Sequence, residues 1–156
     1  MYRRRYLVYR HPASLNPIIA SSSILLTVKG ENSIIYDPFT GSATILIEAK
    51  KISRTFRCIG SDICREFVKG ALRNARYAGV DIDLFISDFS KNPLLHCDYV
   101  ITDPPRGKRV KVRDNIEKLY KKFFSSMYNI ASKIVLITPY LKLTELTCKG
   151  YSIEKF

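Results

Sequence analysis

Several features that would place this chain in a specialised class are missing from its sequence. Its apolar runs are no longer than a strand, as at residues 134–137, so no segment is long enough to cross a bilayer. No apolar secretory core follows the arginines at residues 3–5. The 4 cysteines form no Cys-x-x-Cys pair and only 2 histidines accompany them, which argues against a zinc site and a disulfide framework. We therefore expect a cytoplasmic protein with reduced, largely buried thiols and no metal.

Signs of several domains are also missing. The 156 residues contain no internal repeat, low-complexity tract or linker. A chain of this length corresponds to one ordinary domain. Hydrophobic residues at 46% and charged residues at 26% are typical of a globular protein. We expect a single domain over residues 1–156.

Positive charge is abundant and clustered. The net charge is +12, and a compact domain this basic attracts polyanions through its long-range field. A lysine-rich surface serving only solubility is the alternative. Clustering favours nucleic acid as the partner, because the basic residues form one short segment and one N-terminal arm: Arg106, Lys108, Arg109, Lys111 and Arg113, and Arg3, Arg4 and Arg5.

Short apolar runs alternate with stretches of helical period, a pattern typical of an open, mainly parallel α/β sheet with helices on both faces. Strands are predicted at residues 33–36, 56–61, 83–86, 99–102 and 133–138, with a possible sixth at 151–156. Helices are predicted within residues 11–28, from the turn at 37–44 through residue 51, after the second strand as far as Gly79, and over residues 115–132. Ser14 or Asn16 is a candidate cap for the first helix, and Asp114 with Glu117 has capping-box spacing before the last.

Acidic residues follow four successive predicted strands, and ligands of such sheets bind outside the carboxyl ends of the strands. These residues are Asp37, Asp62, Asp88 and Asp103. One carboxylate in a loop is unremarkable. Four in successive units favour a shared site.

Residues 37–44 form a predicted strand-to-helix turn around Gly41. Glycine allows close backbone approach to a ligand, and a helix start offers unpaired N–H groups. The G-x-G-x-x-G spacing of a nicotinamide site is absent. Asp62 is suitably spaced to accept hydrogen bonds from both hydroxyls of a ribose. Asp88 is a candidate acceptor for an adenine amine, with a turn or helix cap as the equal alternative.

Asp103-Pro104-Pro105 is the most specific feature of the chain. Two prolines stiffen the turn and donate no backbone hydrogen bond. The Asp103 carboxylate and the Pro104 carbonyl can therefore serve as fixed acceptors for an exocyclic amine, directing its lone pair toward an electrophile. A plain strand-terminating turn is the alternative interpretation.

Two segments resemble a known family. Residues 34–49, IIYDPFTGSATILIEA, resemble the first motif of the THUMP-associated RNA guanine-N2 methyltransferases, and residues 98–107 resemble their D-P-P-Y-G motif. Residues 11–15, 60–63 and 74–79 are also similar to that family, and the likeness extends over residues 11–140. The resemblance implies a Rossmann-like class I methyltransferase fold that uses S-adenosylmethionine.

The resemblance also implies roles for individual residues, with a cofactor half at 33–90 and a target-base half at 98–156. Asp103, Pro104 and Pro105 would orient the target amine. Asp62 would hold the ribose, and Ile63, Asp88 and Phe89 would surround the adenine. The first motif would bind the methionine end of the cofactor through Asp37, Pro38, Phe39, Thr40, Gly41, Ser42 and Thr44.

The chain departs from the family pattern in three places. Ala43 replaces a glycine, and Arg106 replaces the tyrosine expected to stack on the base, although arginine also stacks or binds phosphate. Uracil-carbon methyltransferases share Asp-Pro-Pro-Arg, but Cys148 lacks the surroundings of their catalytic cysteine.

The third departure is length: the sequence leaves no room for a THUMP domain or the usual seventh strand, so the C-terminal strands look truncated. An open sheet edge invites pairing, so we expect a homodimer, a partner subunit or a truncated chain.

The leading hypothesis is an enzyme that methylates guanine N2 in tRNA or another structured RNA. A non-catalytic RNA-binding scaffold that keeps only the fold is the second hypothesis. Adenine-N6 methylation of DNA or RNA is the third, because similar acidic-Pro-Pro motifs serve that amine.

Overall fold

The computed structural model describes residues 6–10, 14–105 and 113–140, with only the backbone described at 113–115. Within these residues, five strands alternate with four helices and one 3-10 turn. In chain order these elements are α1 Pro17–Thr27, β1 Ile34–Asp37, α2 Thr44–Ile52, β2 Arg57–Asp62, α3 Arg65–Ala78, β3 Asp83–Ile86, the turn Phe89–Lys91, β4 Cys97–Thr102, α4 Arg113–Met127 and β5 Ala131–Leu136.

The strands form one parallel sheet in the order β3-β2-β1-β4-β5. The chain moves outward from β1 to β3 and then crosses back to place β4 on the other side of β1. Ligands of such sheets bind in the crevice where the order reverses, which here lies between β1 and β4. The predicted α/β class is confirmed, whereas the predicted strand at 151–156 lies outside the described residues.

Helices cover both faces of the sheet. Successive residues of a strand point to opposite sides, so the buried strands present apolar side chains on both faces. One face carries α1, α2 and α3, and its core includes Ile35, Cys58 and Ile101 from the sheet with Ile24, Leu46 and Ala71 from the helices. The other carries α4 and the 3-10 turn, and its core includes Tyr36, Ile59 and Val100 with Phe89, Phe123 and Met127. The alternation along β1, β2 and β4 therefore explains the two layers of helices.

The predicted helix limits are confirmed where the sequence carries a cap. Asn16 accepts a hydrogen bond from the Ile18 N–H at 2.9 Å, so α1 begins at Pro17 and not at the start of the predicted 11–28 segment. Gly79 ends α3 in the left-handed conformation, at φ 64°. Within the described residues, no helix is long and apolar enough to cross a membrane.

The predicted end of α4 is wrong. The helix was expected to reach residue 132, with Ala131 on its apolar face, but it ends at Met127, and Ala131 is the first residue of β5. A turn at Tyr128–Ile130 separates them, and the Ile130 N–H donates to the Met127 carbonyl at 3.2 Å. Apolar residues on both sides of a short turn continue a helical period by chance, so the pattern alone hides the boundary. The Asp114 side chain of the predicted capping box lies outside the described side chains.

The described cysteines differ in burial. Cys58 and Cys97 are buried, and burial raises the pKa of each thiol to about 12. Cys64 is half-buried at the start of α3. The first two thiols therefore serve as small apolar core residues.

Candidate functional site

The four acidic residues predicted to share a site lie along one edge of the sheet. Asp37 and Asp62 are the last residues of β1 and β2, Asp88 follows β3 by two positions, and Asp103 follows β4 by one. The strands are parallel neighbours, so the acids run in the order Asp88, Asp62, Asp37, Asp103 along their carboxyl ends. The placement inferred from the strand ends is confirmed.

The segment between β1 and α2, residues 37–44, forms a tight bend, which we call the donor bend. Gly41 and Ala43 both have left-handed backbones, at φ 49° and φ 61°. The Ala43 N–H donates to the Thr40 carbonyl at 2.7 Å, and the Ala43 carbonyl accepts from the Ile47 N–H at 2.9 Å. The Thr40 N–H donates to the Ser61 carbonyl of β2 at 3.0 Å. The bend is therefore held by backbone hydrogen bonds on both sides.

Most side chains of the donor bend point into the protein. Five of the seven residues predicted there to bind cofactor are buried, namely Asp37, Pro38, Thr40, Ser42 and Thr44. Phe39 and Gly41 are half-buried and accessible. A ligand at this bend would meet Phe39 and backbone groups around Gly41. The buried residues would act by holding the bend in shape.

Ala43, the departure from the glycine of the family pattern, is fully buried. Its side chain belongs to the core shared by α1, α2 and α3, which also includes Leu46 and Ala71. The methyl group therefore packs against protein and leaves the open side of the donor bend unobstructed. The departure bears on backbone strain, because a left-handed conformation suits glycine better than alanine.

Asp37 connects the donor bend to β4. Its Oδ1 accepts from the Thr102 hydroxyl at 2.7 Å and from the Phe39 N–H at 3.1 Å. The side chain is only 2% exposed. Burial raises the pKa of Asp37 to about 7, the two hydrogen bonds oppose that rise, and Asp62 and Asp103 add to it. Three carboxylates therefore lie close enough to influence one another at this edge.

Asp62 supports the donor bend from β2. Its Oδ2 accepts from the Gly41 N–H at 3.1 Å, and its Oδ1 accepts from the Cys64 N–H at 2.9 Å. Each carboxylate oxygen has two lone pairs, so both can accept again from a ligand. Ile63 follows directly and is 71% exposed. An acceptor beside an open apolar side chain matches a sugar attached to an aromatic base.

Asp88 and Phe89 begin the 3-10 turn after β3. The Asp88 Oδ1 accepts from the Ser90 N–H at 2.9 Å and the Ser90 hydroxyl at 2.8 Å, so Asp88 serves as a cap. These bonds lower the pKa of Asp88, with a smaller contribution from Lys122. Phe89 is largely buried, and its ring lies 5.1 Å from that of Phe39. The Phe89 ring therefore packs against the more accessible Phe39. The contact of Phe89 with adenine stays a prediction.

The turn after β4, Asp103-Pro104-Pro105, lies beside the donor bend and β5. Asp103 is half-buried, Pro104 is buried and Pro105 is exposed. The preceding Thr102 carbonyl accepts from the Ile137 N–H of the neighbouring chain segment at 3.0 Å, and its hydroxyl binds Asp37. The base of this turn is thus fixed on both sides. The basic residues Arg106, Lys108, Arg109, Lys111 and the arm Arg3–Arg5 lie outside the described residues, as does the Arg113 side chain.

Two residues that organise this edge were not singled out from the sequence. Thr102 ends β4 and ties it to Asp37, and an isolated hydroxyl at a strand end gives no signal of that pairing. Asn74 lies on α3, is fully buried, and donates to the Ser42 carbonyl at 3.0 Å. Its position between the buried Ala71 and Ala75 was the available signal, because a buried amide requires partners.

The model of the RMKL-like methyltransferase domain family, UPF0020, matches residues 4–156. The chain belongs to this family. The resemblance drawn from the two motifs is thereby confirmed. Curated relatives include the tRNA (guanine(6)-N2)-methyltransferase of Methanocaldococcus jannaschii, at 28% identity over 87% of this chain and 47% of the relative. The tRNA (guanine(10)-N2)-dimethyltransferase of Methanothermobacter thermautotrophicus is 32% identical over 93% of this chain and 45% of the relative's length.

Solved structures support the fold. A possible methylase from Clostridium difficile superposes with a TM-score of 0.80 at 26% identity, over 94% of this chain and 49% of that one. TrmN from Thermus thermophilus gives a TM-score of 0.82 at 22% identity, over 95% of this chain and 45% of that one. The chain thus spans about half the length of the relatives it matches. The Rossmann-like methyltransferase fold is confirmed.

The edge fits the cofactor that the family uses, S-adenosylmethionine. Asp62 would accept hydrogen bonds from its ribose hydroxyls, and the 71% exposed Ile63 would offer its adenine an apolar surface. The donor bend offers a left-handed glycine where backbone can approach closely. When bound, the cofactor supplies an electrophilic methyl group.

Proposed function

We propose that this chain is a methyltransferase domain that transfers a methyl group from S-adenosylmethionine to the exocyclic N2 amine of guanine in RNA, with cytoplasmic tRNA as the substrate. The observation that carries the proposal is the adjacency of two strand ends. The donor bend follows β1, Asp103-Pro104 follows β4, and the Thr102–Asp37 hydrogen bond of 2.7 Å ties them together. A donor and an acceptor held at these neighbouring turns would be positioned for direct transfer.

In this proposal the donor side is formed by the bend and by the ends of β2 and β3. Asp62 accepts from the ribose, Ile63 and Phe89 lie beside the adenine, and the region of Phe39 and Gly41 holds the methionine end. Asp88 is the proposed acceptor for the adenine amine. Its lowered pKa keeps it ionised at neutral pH and therefore available only as an acceptor.

On the acceptor side, Asp103 and the Pro104 carbonyl each accept one hydrogen of the guanine amine. Two such hydrogen bonds direct the nitrogen lone pair away from the ring and toward the methyl carbon. As the N–C bond forms, the S–C bond breaks, and the amine then loses one proton to water or to the carboxylate. Pro105 stiffens the turn, so the two acceptors are oriented before the base arrives.

RNA is the proposed substrate because of charge. The basic segment at 106–113 and the arm at 3–5 supply contacts to phosphate, in a chain whose net charge is +12. Phosphate contacts release counterions, so the affinity for RNA should fall steeply as salt rises.

Neutralising Arg106, Lys108, Arg109 and Lys111 together should reduce the dependence of RNA affinity on salt, as measured by fluorescence anisotropy at several salt concentrations. The tRNA guanine-N2 specificity of the curated relatives supports the choice of base.

The function can be tested by identifying the modified nucleoside. The protein is incubated with S-adenosylmethionine carrying a labelled methyl group and with unmodified tRNA, and the RNA is digested and analysed by mass spectrometry. Label in N2-methylguanosine is the expected result. Label in N6-methyladenosine would reject the proposed base, and tight RNA binding without any label would favour a scaffold.

A matched pair of variants distinguishes methylation at the Asp103 turn from methylation by a contaminating enzyme. Asp103→Ala should lose the label, whereas Asp81→Ala, which removes an exposed carboxylate in the loop before β3, should label RNA as the parent does. Equal labelling by both variants would show that the activity does not depend on Asp103.

The expected homodimer or partner subunit stays a prediction. In the described part of the chain, β5 has a neighbour on one side only, and an open edge of this kind can pair with another chain. Light scattering coupled to size-exclusion chromatography would separate a monomer from a dimer. A monomer at all concentrations tested would reject the homodimer.

A further inference from the structure

Residues 6–10, which we call the N-terminal strap, cross the helices on the α1–α3 face of the sheet. The strap precedes α1 in sequence but is anchored on α2 and α3. Tyr6 is largely buried, its hydroxyl donates to the Glu48 Oε1 at 2.6 Å, and the Lys51 ammonium lies 3.9 Å from the centre of its ring. The strap is therefore a packed element of the structure, with one end fixed on α2.

The other end of the strap is fixed on α3 by one side chain. The Tyr9 N–H donates to the Asn74 Oδ1 at 2.8 Å, and the Asn74 Nδ2 donates to the Tyr9 carbonyl at 3.0 Å. The Tyr9 ring packs directly over Gly70: a Cβ added at Gly70 would lie 2.1–2.4 Å from three atoms of that ring. The absence of a side chain at Gly70 is thus what allows the strap to dock here.

Asn74 also reaches the donor bend. Its Nδ2 donates to the Ser42 carbonyl at 3.0 Å, and the side chain is fully buried. A carboxamide has one acceptor oxygen and two N–H donors. Here the oxygen accepts from Tyr9, and the Nδ2 donates to both the Tyr9 and Ser42 carbonyls. Rotating the amide by half a turn would set its oxygen against those two carbonyls, so the strap fixes which way the amide faces.

The Ser42 carbonyl belongs to the peptide group that determines the shape of the donor bend. The orientation of that peptide plane sets φ of Ala43, which is 61° and unfavourable for a residue with a Cβ. Rotation of the plane would relieve the unfavourable conformation and alter the bend beside Gly41. The Asn74–Ser42 hydrogen bond opposes that rotation from one side, and the Ala43–Thr40 bond of 2.7 Å opposes it from the other.

We propose that the N-terminal strap is a positioning element of the methyl-donor site: docked over Gly70, it orients the Asn74 carboxamide, and Asn74 holds the Ser42–Ala43 peptide in the conformation that binds the donor. The inference rests on the proposed function, because it takes the donor bend as the place where S-adenosylmethionine binds. Strap docking and donor binding are then thermodynamically coupled, and each must strengthen the other by the same factor.

The first test uses the unmodified full chain. Binding of S-adenosylhomocysteine is measured by isothermal titration calorimetry, and hydrogen–deuterium exchange is then followed with and without this compound. Slower exchange in peptides covering residues 6–10 is the expected result, with the turn at residues 29–32 unchanged as an internal control. Unchanged exchange in the strap despite measured binding would overturn the proposal. No binding at all would reject the proposed function itself, and this proposal with it.

The second test displaces the strap by substitution. Gly70→Ala should weaken S-adenosylhomocysteine binding about tenfold, the coupling of a linked two-site system, because the added methyl displaces the Tyr9 ring. Adding Tyr9→Ala removes that ring but keeps the backbone bonds to Asn74, so the double variant should regain most of the affinity. Tyr77→Ala, at a 65% exposed site on the same helix, is the matched control.

A merely structural role would give a different pattern. In that case Gly70→Ala would change the melting temperature while the folded protein bound S-adenosylhomocysteine as the parent does, and that result would overturn the proposal. A double variant that binds as weakly as Gly70→Ala alone would also overturn it. In the methylation assay, the KM for S-adenosylmethionine should rise in Gly70→Ala while the KM for RNA stays near that of the parent.

Discussion

The dipeptide Asp-Pro occurs at the ends of two adjacent strands, and its two copies are placed differently. Asp37 at the end of β1 is 2% exposed, binds Thr102 and Phe39, and has a pKa raised to about 7. Asp103 after β4 is half-buried. The same dipeptide therefore forms an internal tie at one strand end and keeps a partly exposed carboxylate, the proposed amine acceptor, at the other.

The difference shows that burial, and not the motif itself, decides how much of each carboxylate is open to a substrate. Asp37 would have to give up two buried hydrogen bonds to bind one, whereas Asp103 keeps part of its surface exposed. The proposed methyltransferase site thus combines a buried, tied donor bend with a less buried acceptor turn. Four substitutions test this division, from the largest expected effect to the smallest.

Asp103→Ala should lower the rate of methyl transfer about a thousandfold, because one of two preoriented acceptors is lost. Affinity for S-adenosylhomocysteine should stay near that of the parent, since the donor bend is unchanged. Single-turnover kinetics and calorimetry measure the two quantities. Activity within a few-fold of the parent would remove Asp103 from the role of amine acceptor.

Asp37→Asn should change how stability depends on pH. The folded pKa of about 7 lies above the ordinary 3.8, so the folded state binds more protons than the unfolded state between those values. The free energy of unfolding of the parent therefore falls as pH rises through that window, by about 4 kcal/mol as an upper limit. Asparagine does not titrate, so the variant should lose this part of the slope. Urea unfolding curves at several pH values check this, and parallel slopes for the two proteins would contradict it.

Thr102→Val should remove the side-chain hydrogen bond between the ends of β1 and β4 while nearly preserving the shape of the side chain. Loss of the hydrogen bond to Asp37 should lower the free energy of unfolding by about 1–2 kcal/mol. It should also raise the pKa of Asp37 further, because the Thr102 hydroxyl lowers it in the parent. Denaturant unfolding gives the first quantity, and the shifted pH dependence of stability gives the second. Stability equal to the parent at every pH would show that the tie contributes nothing.

Ala43→Gly should have the smallest effect. Glycine would relieve a left-handed backbone that costs about 1–2 kcal/mol for other residues. Its extra freedom in the unfolded chain costs about 0.5–1 kcal/mol, and the lost buried methyl costs about 0.8 kcal/mol. The free energy of unfolding should therefore stay within about 1 kcal/mol of the parent, with donor affinity unchanged. A large change in affinity would show that the Ala43 methyl does touch the donor.

Sequence reasoning predicted the strands of this sheet to within about two residues, because each is a short apolar run with a polar residue at its end. It predicted the alignment of the four acids for the same reason, since parallel strands bring their carboxyl ends to one edge. It did not predict the end of α4, where Tyr128–Ile130 interrupt an apolar pattern that continues into β5. Beyond that boundary the chain pairs with β4, a distant contact that the local apolar pattern does not indicate.

The site was predicted as a set of residues more accurately than as a set of contacts. The motif at 37–44 was recognised, but most of its side chains face the interior and not the crevice. The partners that hold it, Thr102 and Asn74, are distant in sequence, and a polar residue in the sequence gives no indication of which distant group it will bind. The Tyr9–Gly70 contact is equally invisible, because the need for glycine arises from a ring 61 positions earlier.

A crystal structure of the full chain with S-adenosylhomocysteine tests the central claim most directly. We expect the ribose on Asp62, the adenine beside Ile63, and the sulfur above the donor bend, facing the Asp103-Pro104 turn with room for an amine between them. A donor bound elsewhere, or a sulfur shielded from Asp103 by protein, would contradict direct transfer between the two strand ends.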